Sequence, residues 1–570
     1  MLLLQQALPA LAAEPAAPPP TGSPSPAAPP ATSAPPPAAP PAAGAAPPPS
    51  QTPPPGAQAQ VIKSFPILEY RIDGNTVLPT IEIERAVMPY LGENRSTKDI
   101  EAARTQLEKT YHDRGYKTVV VNIPLQQVVD GIVRLHVTEA PVGKLHIAGS
   151  KYHSLEVIRD KLVQLNEGTV PDFGEVQKEL ATVNRSADLR VTPVLKASST
   201  PGKVDVDLTV KDSLPFHASL EFNNRYSTYT SKLRAIGELE YDNLFQRGQS
   251  ISFQYQIAPE RPSDAEIWSA SYVIPTQSNV VWAFYAVHSN SNVATLGDLS
   301  VIGKGNIYGA RFIASLPTSS PDFYHSFTAG VDYKDFKQSV ILGGAAGSVE
   351  SPAHYPPFTL QYSGTWLGAQ GDGKHIAATT GRRSSTTLEG GVTFLVRGLG
   401  TNREEFTDKR AGAGPSFFIF HPSVTREQVL FDSWSLVGKI DGQIASGPLI
   451  NNEEFAGGGA DSVRGYTEAE RLADNGVRGS LELRTPQLLS QGFAHVERSY
   501  VLLFAEGAHL RVIEPLPGQE AAYTLASAGV GLRFKAAGLT MNLDGARILK
   551  DGQVTLSGRY RGLFQVVFAY

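Results

Sequence analysis

Ser250-Ile251-Ser252-Phe253-Gln254-Tyr255-Gln256-Ile257 is the stretch on which the fold turns: every second residue is apolar, and Ser or Gln stands between. A period of two belongs to a β-strand with one apolar and one polar face. The pattern recurs downstream. Phe327, Ala329, Val331 and Tyr333 alternate with Thr328, Gly330, Asp332 and Lys334. Phe358, Leu360, Tyr362, Gly364 and Trp366 alternate with Thr359, Gln361, Ser363 and Thr365. Trp434, Leu436, Gly438, Ile440 and Ile444 face away from Lys439, Asp441 and Gln443. Strands are expected near 217, 233, 251, 268, 280, 308, 327, 358, 388, 417, 434, 478, 500, 528, 539 and 564, sixteen in the 357 residues from 214 to 570. After Leu214 no helical period is evident.

A soluble sandwich or propeller also alternates. Three features favour a transmembrane β-barrel: the even count, the aromatic residues at strand ends, and the last segment, Phe564, Val566, Phe568 and Tyr570, which ends the chain on an aromatic. About 22 residues per strand and connection leave room for a tilted span of roughly 9–11 residues with alternating short and long loops. The longest apolar run, Val280 to Val287, is eight residues, against about 20 for a spanning helix. Among 570 residues there is no cysteine, so disulfides, thiolate metal sites and thiol nucleophiles are excluded. Lys plus Arg (50) nearly balances Asp plus Glu (55), which disfavours a nucleic-acid binder.

Ahead of the barrel the composition changes twice. Residues 1–60 hold 20 prolines and 18 alanines with Glu14 the only charge, a polyproline-like tether that cannot build a core. Met1 to Ala13, with an Ala10-Leu11-Ala12 triplet, resembles the end of a secretory signal whose start lies upstream. Residues 1–64 are read as signal remnant and tether.

From Phe65 a β-α-α-β-β order appears: a strand at Leu68 to Ile72, a turn at Asp73-Gly74-Asn75, two helices, and strands Lys117 to Ile123 and Ile132 to Thr138. The second helix opens on a Ser96…Asp99 capping box and carries Ile100, Ala103, Leu107 and Tyr111 on one face. The order repeats with a strand at Gly143 to Ile147, a helix at Leu155 to Leu165, and a helix capped by Asp172. Strands Leu189 to Lys196 and Val204 to Val210 complete it, with Gly149-Ser150 standing where Gly74-Asn75 stood. Such units offer a strand edge and a helix–sheet groove to an extended peptide; they can equally be spacers.

Between the eleventh and twelfth strands lies a 31-residue loop, Ser446 to Gly476. A loop of this length is usually functional. It contains Val463-Arg464-Gly465-Tyr466, flanked by Gly442-Gln443, the Gly457 to Gly459 run, and Asp474-Asn475-Gly476 leading to Glu482-Leu483. These residues resemble the sixth loop of the outer-membrane barrel assembly and secretion superfamily, and within it the haemolysin secretion/activation branch, the two-partner secretion transporters (TpsB). The resemblance covers residues 65–570. It implies two α+β POTRA domains, 65–140 and 141–213, followed by a 16-stranded antiparallel transmembrane β-barrel, 214–570. The location implied is the bacterial outer membrane, with the POTRA domains in the periplasm.

The resemblance also implies that the loop folds into the lumen and that Arg464 pairs with a carboxylate of an (F/G)xDxG motif. The matching stretch is Phe504-Ala505-Glu506-Gly507-Ala508, with Glu for Asp, Ala508 in the final glycine's place and Gly507 one position early. The implied function is secretion of a large partner protein, captured as an extended segment by the POTRA domains. Outer-membrane lipid is a further partner, as is the barrel assembly machinery, through a closing strand ending in Phe568 and Tyr570. The alternatives are an insertase of the same superfamily, which generally carries three or more POTRA domains, and a passive porin. No catalytic residue, metal, cofactor, nucleotide or nucleic acid is expected. Gly368 to His375 reads G-x-x-x-x-G-K-H, but the final Ser or Thr of a phosphate loop is missing and no helix follows.

Overall fold

The computed structural model describes residues 64–276, 279–291, 293–296, 299–320, 322–341, 348–368, 384–399, 402–489 and 495–570. Residues 1–63 and most of Gly368 to His375 therefore lie outside the described residues. The chain forms two compact units, one holding 212–570 with 151–157, the other the rest of the two small modules.

Each module is a three-stranded mixed sheet covered by two helices. In the first, Ile132–Thr138 lies between Glu69–Asp73, to which it is parallel, and Val120–Asn122, to which it is antiparallel. In the second, Val204–Asp212 takes that central place between Val142–Ala148 and Leu189–Ala197. The helix Thr97–Asp113 starts with Asp99 accepting from the Ser96 amide at 2.8 Å, and Phe173–Val183 with Asp172 accepting from the Gly174 amide at 2.8 Å. Ala103, Leu107 and Tyr111 are fully buried against the first sheet. One pairing was not anticipated, Phe65–Ile67 with Gly92–Arg95.

The repeat extends to its turns. Gly74 and Gly149 have φ of +92° and +98°, and a Cβ on either would collide with a backbone carbonyl, of Val137 and Val210 respectively. Only glycine fits such a position. A carboxylate two residues beyond each of those carbonyls holds the turn's amides. Glu139 accepts from Thr76 N at 2.6 Å, and Asp212 from Tyr152 N at 2.7 Å.

Apart from two short ladders, Val293–Leu296 with Leu299–Ile302 and Phe455–Gly457 with Arg471–Ala473, the strands from Phe216 onward close into an antiparallel barrel. Segments Ser348–Tyr355 and Phe358–Leu367 are one strand: both pair with Phe323–Ile341, and Lys334↔Tyr355 and Val331↔Phe358 keep one register. The break is Pro356-Pro357, which has no amide to give to a ladder. Counted so, the barrel has sixteen strands among the described residues, and each expected position falls on one of them or, at 233 and 434, one residue before it. Tyr560–Ala569 pairs with Phe216–Asn223 to close the ring, through five residue pairs, Gln565↔Asn223 to Ala569↔Ser219.

The pleat sorts the faces as the alternation demanded. Ile251 and Phe253 point outward and are exposed, whereas Ser252 and Gln256 are buried on the lumen side. Trp268, Trp282, Tyr333, Trp366, Phe568 and Tyr570 are likewise exposed. No helix among the described residues is long and apolar enough to cross a membrane. Among the described residues one α-helix interrupts the β region: Arg403–Lys409, in the loop after the ninth strand. At seven residues it is too short to display a period.

Candidate functional site

The loop Ser446 to Gly476 is not featureless. It contains a short ladder, Phe455–Gly457 with Arg471–Ala473, that carries its middle into the lumen. Val463 and Tyr466 are 0% exposed there, packed with Ala508, Leu510, Leu525 and Ile548 from the wall. The Tyr466 hydroxyl donates to the Lys550 carbonyl at 2.6 Å. Gly465 has φ +99°, and a Cβ on it would press on Ala546 at 3.1 Å. Glycine therefore sets both the turn and the close approach to the wall.

Arg464 is 3% exposed. Its Nε and Nη2 donate to Glu506 Oε1 at 2.8 and 2.5 Å, and its own amide donates to Glu506 Oε2 at 2.7 Å. Nη2 also donates to Glu482 Oε1 at 2.7 Å, and Nη1 to Asp544 Oδ1 at 3.3 Å. The guanidinium lies 3.7 Å above the centre of the Phe504 ring, a cation–π stack that also covers the pair from water. Three strands thus supply one carboxylate each. Two of these have second cations, Glu482 with Arg484 and Asp544 with Arg533. Glu506 has no other cation among the described residues; Ser480 Oγ at 3.2 Å is its other donor.

Phe504, Glu506 and Ala508 share the inner face of Val496–Arg511, and all are buried. Gly507 sits on the outer face and does not meet Arg464; the inward residue at the motif's final position is Ala508. Glu482 and Asp544 were not identified as partners from sequence. Glu482 stood in a quoted motif, but Asp544 carried no signal.

The loop is held elsewhere too. Glu470 accepts from Thr467 N and Val554 N at 2.9 and 3.1 Å and from Thr555 Oγ1 at 2.5 Å. Burial pushes its carboxyl up, but these bonds outweigh that and leave it below the ordinary range. At the loop's base, Asp474 is fully buried and accepts from Arg410 Nη1 and Nη2 at 2.5 and 2.7 Å and from the Leu449 and Ile513 amides. Arg410 also donates to Glu454 at 2.8 Å. Burial, opposed by Arg410, raises the Glu454 carboxyl to about 7. Gln443 donates to the Glu453 and Asp474 carbonyls at 3.0 Å. The chemistry available is that of a latch, with charges paired out of bulk water.

A model of the ShlB-type POTRA domain matches residues 65–140, and one of the haemolysin secretion/activation protein ShlB/FhaC/HecB matches residues 376–534. In its first module and in its barrel the chain is thus similar to the haemolysin secretion/activation proteins. Relatives include the outer membrane transporter CdiB of Dickeya dadantii, 23% identical over 433 residues, covering 74% of this chain and 72% of that protein. The heme/hemopexin transporter protein HuxB of Haemophilus influenzae is 20% identical, over 72% of this chain and 71% of its own. Among solved structures, CdiB from Escherichia coli shares the fold with a TM-score of 0.63 at 17% identity, covering 91% of this chain and 92% of that one. BamA from Haemophilus ducreyi lacking POTRA domains 1–3 gives 0.52 at 13% identity, over 89% and 100%. The chain is an outer-membrane barrel with its POTRA region in the periplasm.

Proposed function

We propose that this chain is the translocation pore of a two-partner secretion system, exporting one large exoprotein across the outer membrane. Its parts divide the work. Residues 1–64 tether; the POTRA domains 65–140 and 141–213 take an extended segment of the cargo as an added strand; the barrel 214–570 conducts it. The outward apolar residues contact outer-membrane lipid, and the closing strand with Phe568 and Tyr570 presents the signal read by the barrel assembly machinery. The protein is not an enzyme on this reading, and passage uses no nucleotide or other cofactor. Folding of the cargo outside makes export one-way.

The observation that carries the proposal is Arg464, seated in the middle of a long loop on three carboxylates inside the barrel, in a chain that also carries two small modules. A porin for small solutes needs neither. The test is secretion. Co-expressed with a candidate large exoprotein, the chain should release that protein to the medium, and without the chain the cargo should stay in the periplasm. If the cargo is released equally without it, while outer-membrane proteins fail to assemble, the insertase reading replaces this one. One observation favours that second reading, the five-pair closing seam, which is shorter than the eight to fifteen pairs of most neighbouring ladders.

A further inference from the structure

The sixth loop is fastened to the lumen wall in two places. Arg464 anchors the middle of the sixth loop to the twelfth, thirteenth and fifteenth strands. The loop's root, by contrast, is anchored four to eight strands away around the wall. There Glu453 accepts from Lys334 Nζ at 2.6 Å, on the seventh strand, and from the Tyr355 hydroxyl at 2.5 Å, on the eighth. The loop is therefore a strap tied at its middle and at its root.

Beside the root lies a dry apolar cluster at the barrel's outer end. Leu449 and Ile450 of the loop root, each 1% exposed, pack with Phe406 of the helix Arg403–Lys409 against Phe336, Tyr355 and Phe417 of the wall. The Phe406 and Tyr355 ring centroids are 5.3 Å apart, edge to face. Arg410, one residue past that helix, donates to the Leu449 carbonyl at 2.7 Å as well as to Asp474. Helix and root are thus coupled. A polar lumen that meets a packed apolar constriction at one end has the construction of a hydrophobic gate, which stops water and ions by excluding both.

We propose that Phe406, Leu449 and Ile450 form an outer gate, positioned by Glu453 on Lys334 and Tyr355, which opens separately from the Arg464 latch. The proposal rests on the export reading only for what passes; that the gate closes the pore stands on the packing. Lys334, Tyr355 and Glu453 are positioning residues. Each holds the loop root against the wall, and none contacts the Arg464 cluster.

Two experiments on the full chain decide it. In planar bilayers, Glu453→Gln removes an ion pair and keeps the shape. The open-state fraction should rise roughly ten- to a hundredfold, the range for one hydrogen bond to a charged group. Phe406→Asp should open the pore further, and protease protection of the loop around Arg464 should stay as in wild type. Wild-type conductance from Glu453→Gln, with the protein correctly inserted, overturns the gate, whether or not Phe406→Asp folds.

Second, the chain has no cysteine. Lys334→Cys with Glu453→Cys can therefore be stapled by a short reversible bis-methanethiosulfonate linker. Secretion should stop on stapling and return with reductant, while a staple between Thr365→Cys and Thr387→Cys, on adjacent strands, should leave it unchanged. Full secretion by the stapled chain overturns the proposal. If even the unstapled chain exports nothing, the export reading fails, and the conductance result still decides the gate.

Discussion

Removing the two sides of the Arg464–Glu506 pair should have unequal effects. Glu506→Ala takes away a two-pronged contact, but Arg464 keeps Glu482 at 2.7 Å and Asp544 at 3.3 Å. No cation is orphaned, so the cost is that of bonds to a charged group, about 1.5–3 kcal/mol. Arg464→Ala leaves Glu506 buried with Ser480 Oγ and one amide. An uncompensated buried charge costs roughly 3–5 kcal/mol, less where lumen water reaches it. Removing both partners removes the orphan, so Arg464→Ala/Glu506→Ala should be milder than the sum by about 1.5–3 kcal/mol. Even then the loop is not wholly freed. Val463 and Tyr466 stay buried, worth roughly 1.5–3 kcal/mol each, so eviction should need Arg464→Ala/Tyr466→Ala. The assay is maleimide labelling of Val463→Cys in intact cells, because that position is 0% exposed and reacts only when the loop leaves. Each tenfold rise in rate reports about 1.4 kcal/mol of latch lost. If Glu506→Ala labels as fast as Arg464→Ala, or the double variant equals the sum, the account of which charge is orphaned is wrong.

Deleting Tyr560–Tyr570 takes the partner from Phe216–Asn223 and should abolish the heat-modifiable barrel in outer-membrane fractions; normal insertion would refute the closing-strand assignment. Removing residues 14–60, the proline- and alanine-rich stretch, should leave single-channel conductance unchanged, and a sharp rise would show that the tail occludes the pore. Glu454, raised to about 7 when packed against Arg410, returns to the ordinary carboxylate range once solvated. The packed state therefore holds its proton more tightly, and its stability falls as pH rises from about 4.5 to 7. The pore should be more closed at pH 5 than at pH 8, and Glu454→Gln should flatten that dependence. Gly507→Ala, outward with only the Leu525 carbonyl at 3.5 Å, should secrete normally, whereas Ala508→Leu should crowd the packed loop and expose Val463→Cys to maleimide.

The sixteen strands were legible because a lipid-facing barrel imposes a period of two along every span, and Ser250 to Ile257 shows it without exception. The caps at Ser96 and Asp172 were legible because the relevant bonds reach only two or three residues along the chain. Glu453 and Lys334 are 119 positions apart, Arg410 and Asp474 are 64, and Arg464 and Asp544 are 80. No local pattern encodes such pairs, since they exist only once the ring has closed. Arg464 and Glu506 came from resemblance and not from spacing. Gly507 is the instructive case. It was grouped with Phe504 and Glu506 on residue type, yet a strand turns successive side chains to opposite faces. Phe504, Glu506 and Ala508 have the same parity and share the lumen, and Gly507 must look outward. Parity alone, applied to those five residues, identifies Ala508 as the one that touches the loop, and it makes the alanine in the family's glycine position a packing contact beneath Tyr466 and Val463.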